Sequence, residues 1–202
     1  MLGLSLCCSV GSAAERILLL GDSLSAAYGI PQERSWPALL EKHLQQQAVP
    51  SELINASISG ETTAGGLRRL PALLQDHQPT WVWIELGAND GLRGLPLDQM
   101  RSNLRAMIDS ATQASARVLL FEMRLPTNYG PRYTQAFSAV YSQLAAQTPA
   151  TVLPFFLAPI AADMDYFLDD GIHPNEAAQP ILLDQILEGW PGAETALGSA
   201  PG

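Results

Sequence analysis

The sequence has few cysteines and few histidines, and it lacks any apolar run long enough to span a membrane. Its two cysteines, Cys7 and Cys8, both lie in the first fourteen residues, so the rest of the chain can form neither a disulfide nor a cysteine-based metal site. Residues 1–14 form the longest strongly apolar stretch, which is shorter than the roughly 20 residues of a spanning helix. The sequence therefore predicts no stable insertion into a membrane.

Positive charge is also scarce, with 11 Lys and Arg residues against 20 Asp and Glu residues and a net charge of -9. A strongly acidic surface repels phosphates, so nucleic acid is not expected as a partner. No G-x-G-x-x-G motif or P-loop follows the first predicted strand, and the three histidines form no H-E-x-x-H motif. Because these common nucleotide-binding and zinc patterns are missing, we expect no cofactor and no metal.

The N-terminal segment has the composition of a signal peptide. Residues 1–14 carry no charge, are apolar in the middle and end in small residues, with Ser12 and Ala14 placed as in a cleavage site. Cleavage after Ala14 would leave a chain that starts at Glu15, and we then expect a periplasmic or secreted protein. The segment has no basic n-region, so a misplaced start, a truncated leader and an ordinary buried N-terminus stay open as alternatives.

Beyond this segment, short apolar runs alternate with longer amphipathic ones. This alternation is typical of a parallel sheet with helices on both faces, and the length fits one domain. We expect the domain over residues 15–188 and a flexible tail over residues 189–202, which are rich in small residues, Pro and Gly. Five strands are predicted at 17–20, 52–55, 81–86, 117–121 and 151–155, and five helices at 36–44, 62–74, 97–111, 133–147 and 175–187.

Four segments that follow predicted strands contain residues suited to catalysis. Ser23 follows the first strand in G-D-S-L, Gly60 lies in the turn after the second, and Asn89 follows the third in G-A-N-D. The segment D-D-G-I-H-P, with Asp170 and His173, comes after the fifth strand. Because ligands bind at the carboxyl ends of the strands in an open parallel sheet, we expect these residues to meet at one edge.

These residue types are the parts of an acyl-transfer site. Ser23 would be the nucleophile and His173 its base, because the other two histidines lie in amphipathic helical patterns. Asp170, three residues before His173, can accept the imidazole N–H and fix the tautomer. The backbone amides of Ser23 and Gly60 and the side-chain amide of Asn89 would form the oxyanion hole.

Each of these residues also has a purely structural interpretation. The G-D-S segment could cap the next helix, Gly60 could be a turn glycine with positive φ, and Asn89 could form an Asx-type turn. His173 could be a capping or core histidine after a turn. Four structural explanations at four strand ends are less expected together than one catalytic site.

The order of these motifs resembles that of a known enzyme family. The segments that carry the resemblance are GDSLSAAYG, NASISGET, RRLPALL, IELGANDGLRG, LPTNYGPRY and DDGIHPNEAAQP. They are similar to the GDSL, or SGNH, hydrolases, whose letters match Ser23, Gly60, Asn89 and His173, and in particular to the bacterial periplasmic thioesterase I/protease I/lysophospholipase (arylesterase) subgroup. The resemblance covers about residues 17–187, with Ala88 where relatives often have Gly.

The resemblance implies a three-layer α/β/α fold of flavodoxin-like type and a triad of Ser23, His173 and Asp170, with oxyanion donors from Ser23, Gly60 and Asn89. It also implies hydrolysis of aryl esters, medium-chain acyl esters, acyl-CoA and lysophospholipids through an acyl-enzyme on Ser23. Small-molecule esters or thioesters are then the expected partners of a monomer. We expect apolar residues within 86–95, 125–132 and 155–167 to receive the acyl chain.

Two other functions stay open. A carbohydrate or small-molecule acetylesterase of the same fold would need aromatic platforms at the mouth of the site, and the four tryptophans lie mostly within predicted strands and helices. A non-catalytic binding protein of the same fold would tolerate the loss of Ser23, Asn89 or His173, all of which are present.

Overall fold

The sheet has five parallel strands in a computed structural model that describes residues 14–47 and 51–193. Its strand order is β2-β1-β3-β4-β5, which is the flavodoxin-like order of a doubly wound fold. The predicted five-stranded parallel sheet is therefore confirmed. The strands are β1 (Arg16–Gly21), β2 (Glu52–Asn55), β3 (Trp81–Glu85), β4 (Arg117–Phe121) and β5 (Thr151–Leu153).

Within the described residues, six α-helices surround the sheet, and five of them pack in two groups. α2, α4 and α5 pack side by side, and α1 packs against α6. The short helix α3 contacts α4 beside the third strand end. The helices are α1 (Trp36–Gln45), α2 (Thr63–His77), α3 (Ala88–Leu92), α4 (Leu97–Gln113), α5 (Pro131–Gln147) and α6 (Gln179–Gly189).

Both faces of the central strands are buried, which explains why their sequences read as continuous apolar runs rather than alternating ones. On one face, Trp36 of α1 stacks on Trp83 and contacts Phe121. On the other face, Gly66 of α2 lies against Leu20 and Leu86 so closely that a side chain on the glycine would collide with them. The core thus occupies both sides of the sheet and leaves the strand ends free for a site.

The helix starts follow from capping. Ser35 accepts a hydrogen bond from the Ala38 amide at the start of α1, with Pro37 in the first turn. Thr62 accepts from the Gly65 amide at the start of α2. Before α6, Asn175 caps a single 3₁₀ turn, so the last α-helix begins later than the prediction of 175.

The end of the domain differs from the expectation of a tail that starts at residue 189. α6 continues to Gly189, and Trp190 is only 2% exposed. Its ring makes edge-on contacts with Trp81 and Trp83 at centroid distances of 5.9 and 5.1 Å. Burial of a large aromatic surface outweighs the local Pro and Gly content, so the first residues of this segment belong to the core.

Glu15, the first residue expected after leader cleavage, is buried at the opposite end of the sheet from the predicted site. Its amide donates to Ser51 Oγ over 3.0 Å, and its carboxylate accepts from Thr80 Oγ1 and pairs with Arg117. The expected leader, including Cys7 and Cys8, lies outside the described residues except for Ala14, and so do residues 194–202. Among the described helices, none has the length and apolar character needed to cross a membrane.

Candidate active site

Ser23 lies in a tight turn directly after β1. The Asp22 side chain accepts the Leu24 amide over 3.0 Å, and the Asp22 carbonyl accepts the Ala26 amide over 3.0 Å. The backbone therefore folds around Asp22 and leaves the next residue, Ser23, at the surface of the turn. No acceptor lies against the Ser23 backbone amide among the described residues, so this N–H is available to a ligand.

His173 is held by a second turn, after β5. Gly171 has φ +65° and lets the chain reverse, and the Leu168 amide donates to the His173 carbonyl over 2.8 Å. Asp170 Oδ1 accepts the amides of Ile172 and His173 over 2.9 and 3.0 Å. The turn thus brings the Asp170 carboxylate and the His173 imidazole together through local hydrogen bonds.

The two turns place three side chains in line. His173 Nε2 lies 2.9 Å from Ser23 Oγ, and His173 Nδ1 lies 2.6 Å from Asp170 Oδ2. Desolvation opposes ionisation of Asp170, but the hydrogen bonds from His173 and the Ile172 amide outweigh it and lower its pKa from 3.8 to about 2. A carboxylate that stays ionised fixes the Nδ1–H tautomer and leaves Nε2 free to accept the serine proton.

The exposed ring of Tyr28 lies on the His173 imidazole, with the ring centroids 4.3 Å apart and the planes tilted by 37°. The sequence patterns did not single out Tyr28, because its contact with His173 joins segments that are distant in the chain. The ring limits the imidazole to the orientation that faces both Ser23 and Asp170.

Gly60 and Asn89 come from separate loops. Gly60 has φ +77° in a turn closed by the Glu61 amide and the Ile58 carbonyl over 3.0 Å. Its own amide meets no acceptor in the part of the chain that the structure describes. Asn89 Nδ2 lies 2.9 Å from Asp22 Oδ2, next to Ser23. The turn-glycine interpretation therefore holds for Gly60 without excluding its amide as a donor.

Asn89 lies in a helix rather than in an Asx-type turn. Gly87, with φ +119°, starts α3, and Asn89 stands in its first turn. The sequence did not predict α3, because five residues are too few for a periodic pattern and Asn, Asp and Gly are poor helix formers. The helix projects the Asn89 amide toward the turn that carries Ser23.

A pair of buried carboxyl groups lies beneath Ser23. Burial raises the pKa of Asp22 from 3.8 to about 6, against the hydrogen bonds from the Leu24 amide and Asn89. Burial, with the nearby Asp22, also raises the pKa of Glu85 well above 4.5. Glu85 Oε2 accepts Ser25 Oγ over 2.7 Å and the Asp22 amide over 3.1 Å. Glu85 therefore anchors the turn that carries Ser23 to β3 through these two hydrogen bonds.

An open cleft of about 680 Å³ adjoins the His173 loop, and within it Phe167, Leu168 and Tyr28 supply apolar surface. The expected acyl-binding segment 155–167 is only partly available, because Phe156 is fully buried against Trp36 and Phe121. Leu86 is also buried. For these two residues, core packing is the correct interpretation.

The described residues contain neither a tryptophan platform for a sugar nor a cluster of metal-binding side chains. All four tryptophans are buried, so none presents a stacking face for a sugar. Within residues 14–47 and 51–193, no cluster of three His, Cys, Asp or Glu side chains could hold a metal ion. The site that the structure assembles consists of protein groups suited to acyl transfer.

Comparison with known proteins agrees with this geometry. The model of the GDSL-like lipase/acylhydrolase family matches residues 19–180. Esterase TesA of Pseudomonas aeruginosa is 48% identical over 89% of this chain and 88% of its own. Thioesterase 1/protease 1/lysophospholipase L1 of Escherichia coli K12 is 48% identical over 86% of this chain and 82% of its own.

Comparison with solved structures agrees with the sequence comparison. A crystal structure of TesA superposes with a TM-score of 0.85 and 46% identity, and the match covers 89% of this chain and 99% of that one. The family model and these two sequence relatives each span most of the chain, and the residues matched by the family model include all four segments around the candidate site. The chain belongs to the GDSL-like lipase/acylhydrolase family.

Proposed function

We propose that this protein hydrolyses carboxylic esters and thioesters through an acyl-enzyme on Ser23. The observation that carries the proposal is the continuous contact from Ser23 Oγ to His173 Nε2 at 2.9 Å and from His173 Nδ1 to Asp170 at 2.6 Å. A serine hydroxyl needs such an adjacent, oriented base to become a nucleophile. The names of the relatives, an esterase and a thioesterase/lysophospholipase, support the same chemistry.

In the first step, Ser23 Oγ attacks the acyl carbonyl while His173 Nε2 takes the hydroxyl proton. Asp170 stabilises the imidazolium that forms. The carbonyl oxygen becomes an oxyanion, which the Ser23 and Gly60 amides and the Asn89 side chain bind. His173 then gives its proton to the leaving alcohol or thiol, and the carbon–oxygen or carbon–sulfur bond breaks.

In the second step, His173 takes a proton from water, which attacks the acyl-enzyme. The same three donors hold the second oxyanion, and the acid leaves as His173 returns the proton to Ser23 Oγ. His173 must be neutral at the start of both steps.

The substrates we propose are aryl esters, medium-chain acyl esters, acyl-CoA and lysophospholipids. The cleft beside His173 is open to solvent, and Phe167 and Leu168 give it apolar surface that an acyl chain can contact, next to polar groups such as Asp169 and Asn175. A carbohydrate or small-molecule acetylesterase is the second candidate. The four tryptophans are buried and offer no platform to a sugar, and the aromatic face at the site is that of Tyr28, which packs on His173.

We also propose that the protein acts as a monomer in the periplasm or outside the cell. The location is supported by the signal-peptide composition of residues 1–14 and by the anchoring of Glu15, which leaves Ala14 exposed as the predicted cleavage position. N-terminal sequencing of the exported protein tests the location, with Glu15 as the expected first residue. Chain retained in the cytoplasm with Met1 intact would contradict it.

The chain-length profile of p-nitrophenyl esters, from acetate to palmitate, tests the substrate class. We expect a maximum at medium chain length, loss of activity in Ser23→Ala and His173→Ala, and no change in the control Ser142→Ala, an exposed serine on α5. A maximum at acetate would favour the acetylesterase. Hydrolysis that survives in Ser23→Ala would contradict the proposed mechanism.

A further inference from the structure

Arg93, the residue after α3, contacts Gly60 and Asn89, the two proposed oxyanion donors outside the turn that carries Ser23. Its Nη2 donates to the Gly60 carbonyl over 2.8 Å and lies 3.5 Å from Asn89 Oδ1. Gly60 and Asn89 belong to loops that follow different strands, β2 and β3. The Ile58 amide, which donates to the Gly21 carbonyl, and the Asn89 contact with Asp22 each tie one loop to the end of β1. Arg93 adds a direct link between the two loops.

Arg93 restrains the backbone conformation of Gly60. Gly60 is in the left-handed region at φ +77°, and without a Cβ its ψ is weakly restrained. The hydrogen bond from Arg93 holds the carbonyl, and the Ile58–Glu61 turn holds the chain on either side. Because the carbonyl and the turn are both held, the Gly60 N–H, which meets no acceptor among the described residues, points in one direction.

On the Asn89 side, Arg93 and Asp22 determine which way the amide points. The guanidinium can only donate and therefore faces Oδ1, whereas the Asp22 carboxylate accepts and therefore faces Nδ2 at 2.9 Å. The second N–H of Nδ2 stays available for the oxyanion. A flipped Asn89 would present its oxygen to Asp22, which repels it.

Arg93 is itself well anchored through the backbone. Its amide donates to the Asn89 carbonyl over 3.2 Å, and the two preceding carbonyls, of Gly91 and Leu92, accept the hydroxyls of Tyr133 and Tyr129 over 3.1 Å each. No carboxylate pairs with Arg93 in the described ranges. The Arg93 side chain is exposed, and its hydrogen bonds go to Gly60 and Asn89.

We propose that Arg93 is a positioning residue that aligns Gly60 and Asn89 as oxyanion donors. The proposal rests on the proposed ester hydrolysis through Ser23. Since the oxyanion exists only in the transition state and the tetrahedral intermediate, a poorly aligned hole lowers kcat and leaves substrate binding almost unchanged.

The test compares Arg93→Met and Arg93→Lys with wild type in p-nitrophenyl butyrate hydrolysis. We expect Arg93→Met to lower kcat about 10- to 100-fold with KM within about three-fold, because a single misaligned donor has an effect of this order. Lysine restores part of the rate, since one ammonium can keep the hydrogen bond to Gly60. The control Arg68→Met, an exposed arginine on α2 without an ion pair among the described residues, keeps the wild-type rate.

A double-mutant cycle separates alignment from a general structural effect. In the Asn89→Ala background, Arg93→Met should cost at least about three-fold less than in wild type, because half of its target is gone. Equal losses in both backgrounds, a loss confined to KM, or a kcat within two-fold of wild type would overturn the proposal. If wild type itself showed no Ser23-dependent hydrolysis, the proposed function would fail instead, so the two failures are distinguishable.

Discussion

Replacing Asn89 by alanine removes a proposed oxyanion donor and, at the same time, the partner of a buried carboxyl group. Asn89 Nδ2 lies 2.9 Å from Asp22 Oδ2, and Asp22 is 1% exposed. The loss of one oxyanion donor typically lowers kcat by about 10²–10³-fold. The loss of a partner for a buried polar group costs about 1–3 kcal/mol of stability. The variant should therefore show a rate effect and a separate stability effect.

The stability effect of Asn89→Ala depends on pH. Burial raises the pKa of Asp22 from 3.8 to about 6, and the hydrogen bond from Asn89 works in the opposite direction. A carboxyl group with a raised folded-state pKa makes the wild type lose stability as pH rises between those two values. Without Asn89 the pKa of Asp22 rises further, so the variant continues to lose stability above pH 6. The difference between the proteins is therefore larger at pH 8 than at pH 5.

Two assays measure these effects. Hydrolysis of p-nitrophenyl butyrate gives kcat, and urea denaturation at pH 5 and pH 8 gives the free energy of unfolding. The control is Gln113→Ala, which removes an exposed carboxamide at the end of α4 and should change neither quantity. A kcat within ten-fold of wild type, or a stability difference that is equal at both pH values, would refute the reasoning about Asn89 and Asp22.

Three further variants test other parts of the structure. The stability of Glu85→Gln relative to wild type should increase between pH 5 and pH 8. Burial raises the pKa of Glu85, so the wild type loses stability as the pH rises above 4.5, and glutamine cannot ionise. A difference in urea midpoint between the two proteins that is the same at both pH values would contradict this. Trp190→Ala should lose about 3–5 kcal/mol of stability by urea denaturation. Its kcat at low temperature should stay within two-fold of wild type, because Trp190 packs against Trp81 at the end of β3 that is distant from the site. A large loss of kcat would contradict this. Gly60→Ala should lower kcat about ten-fold or more at similar KM. The alanine would be strained at φ +77°, and its Cβ would lie 3.2 Å from the Arg93 side chain. A normal kcat would exclude the Gly60 amide as a donor.

The sheet and most helices were predictable because each is encoded locally. Buried strands such as β1 and β3 read as short apolar runs, and α4 repeats its apolar residues at helical spacing. The strand-end rule then brings Ser23 and Asn89 to one edge without any knowledge of side-chain packing. Asp170 and His173 were linked by their spacing, since one turn suffices for their contact.

The rest depends on tertiary contacts that no local pattern carries. α3 is too short to show periodicity, and Trp190 is ordered by packing on Trp81 and Trp83 rather than by its Pro- and Gly-rich surroundings. Asp22 and Arg93 lie inside the segments that the sequence singled out. Their contacts with Asn89 and Gly60, however, join loops that only the folded sheet brings together.

Covalent labelling tests the central claim, that Ser23 is the nucleophile, most directly. Wild type and Ser23→Ala are treated with an alkyl fluorophosphonate, and intact mass and peptide mapping locate the adduct. We predict one adduct per wild-type chain, on Ser23, with labelling slowed in His173→Ala and absent in Ser23→Ala. An adduct on another residue, or a Ser23→Ala protein that is labelled and inactivated like wild type, would contradict the account.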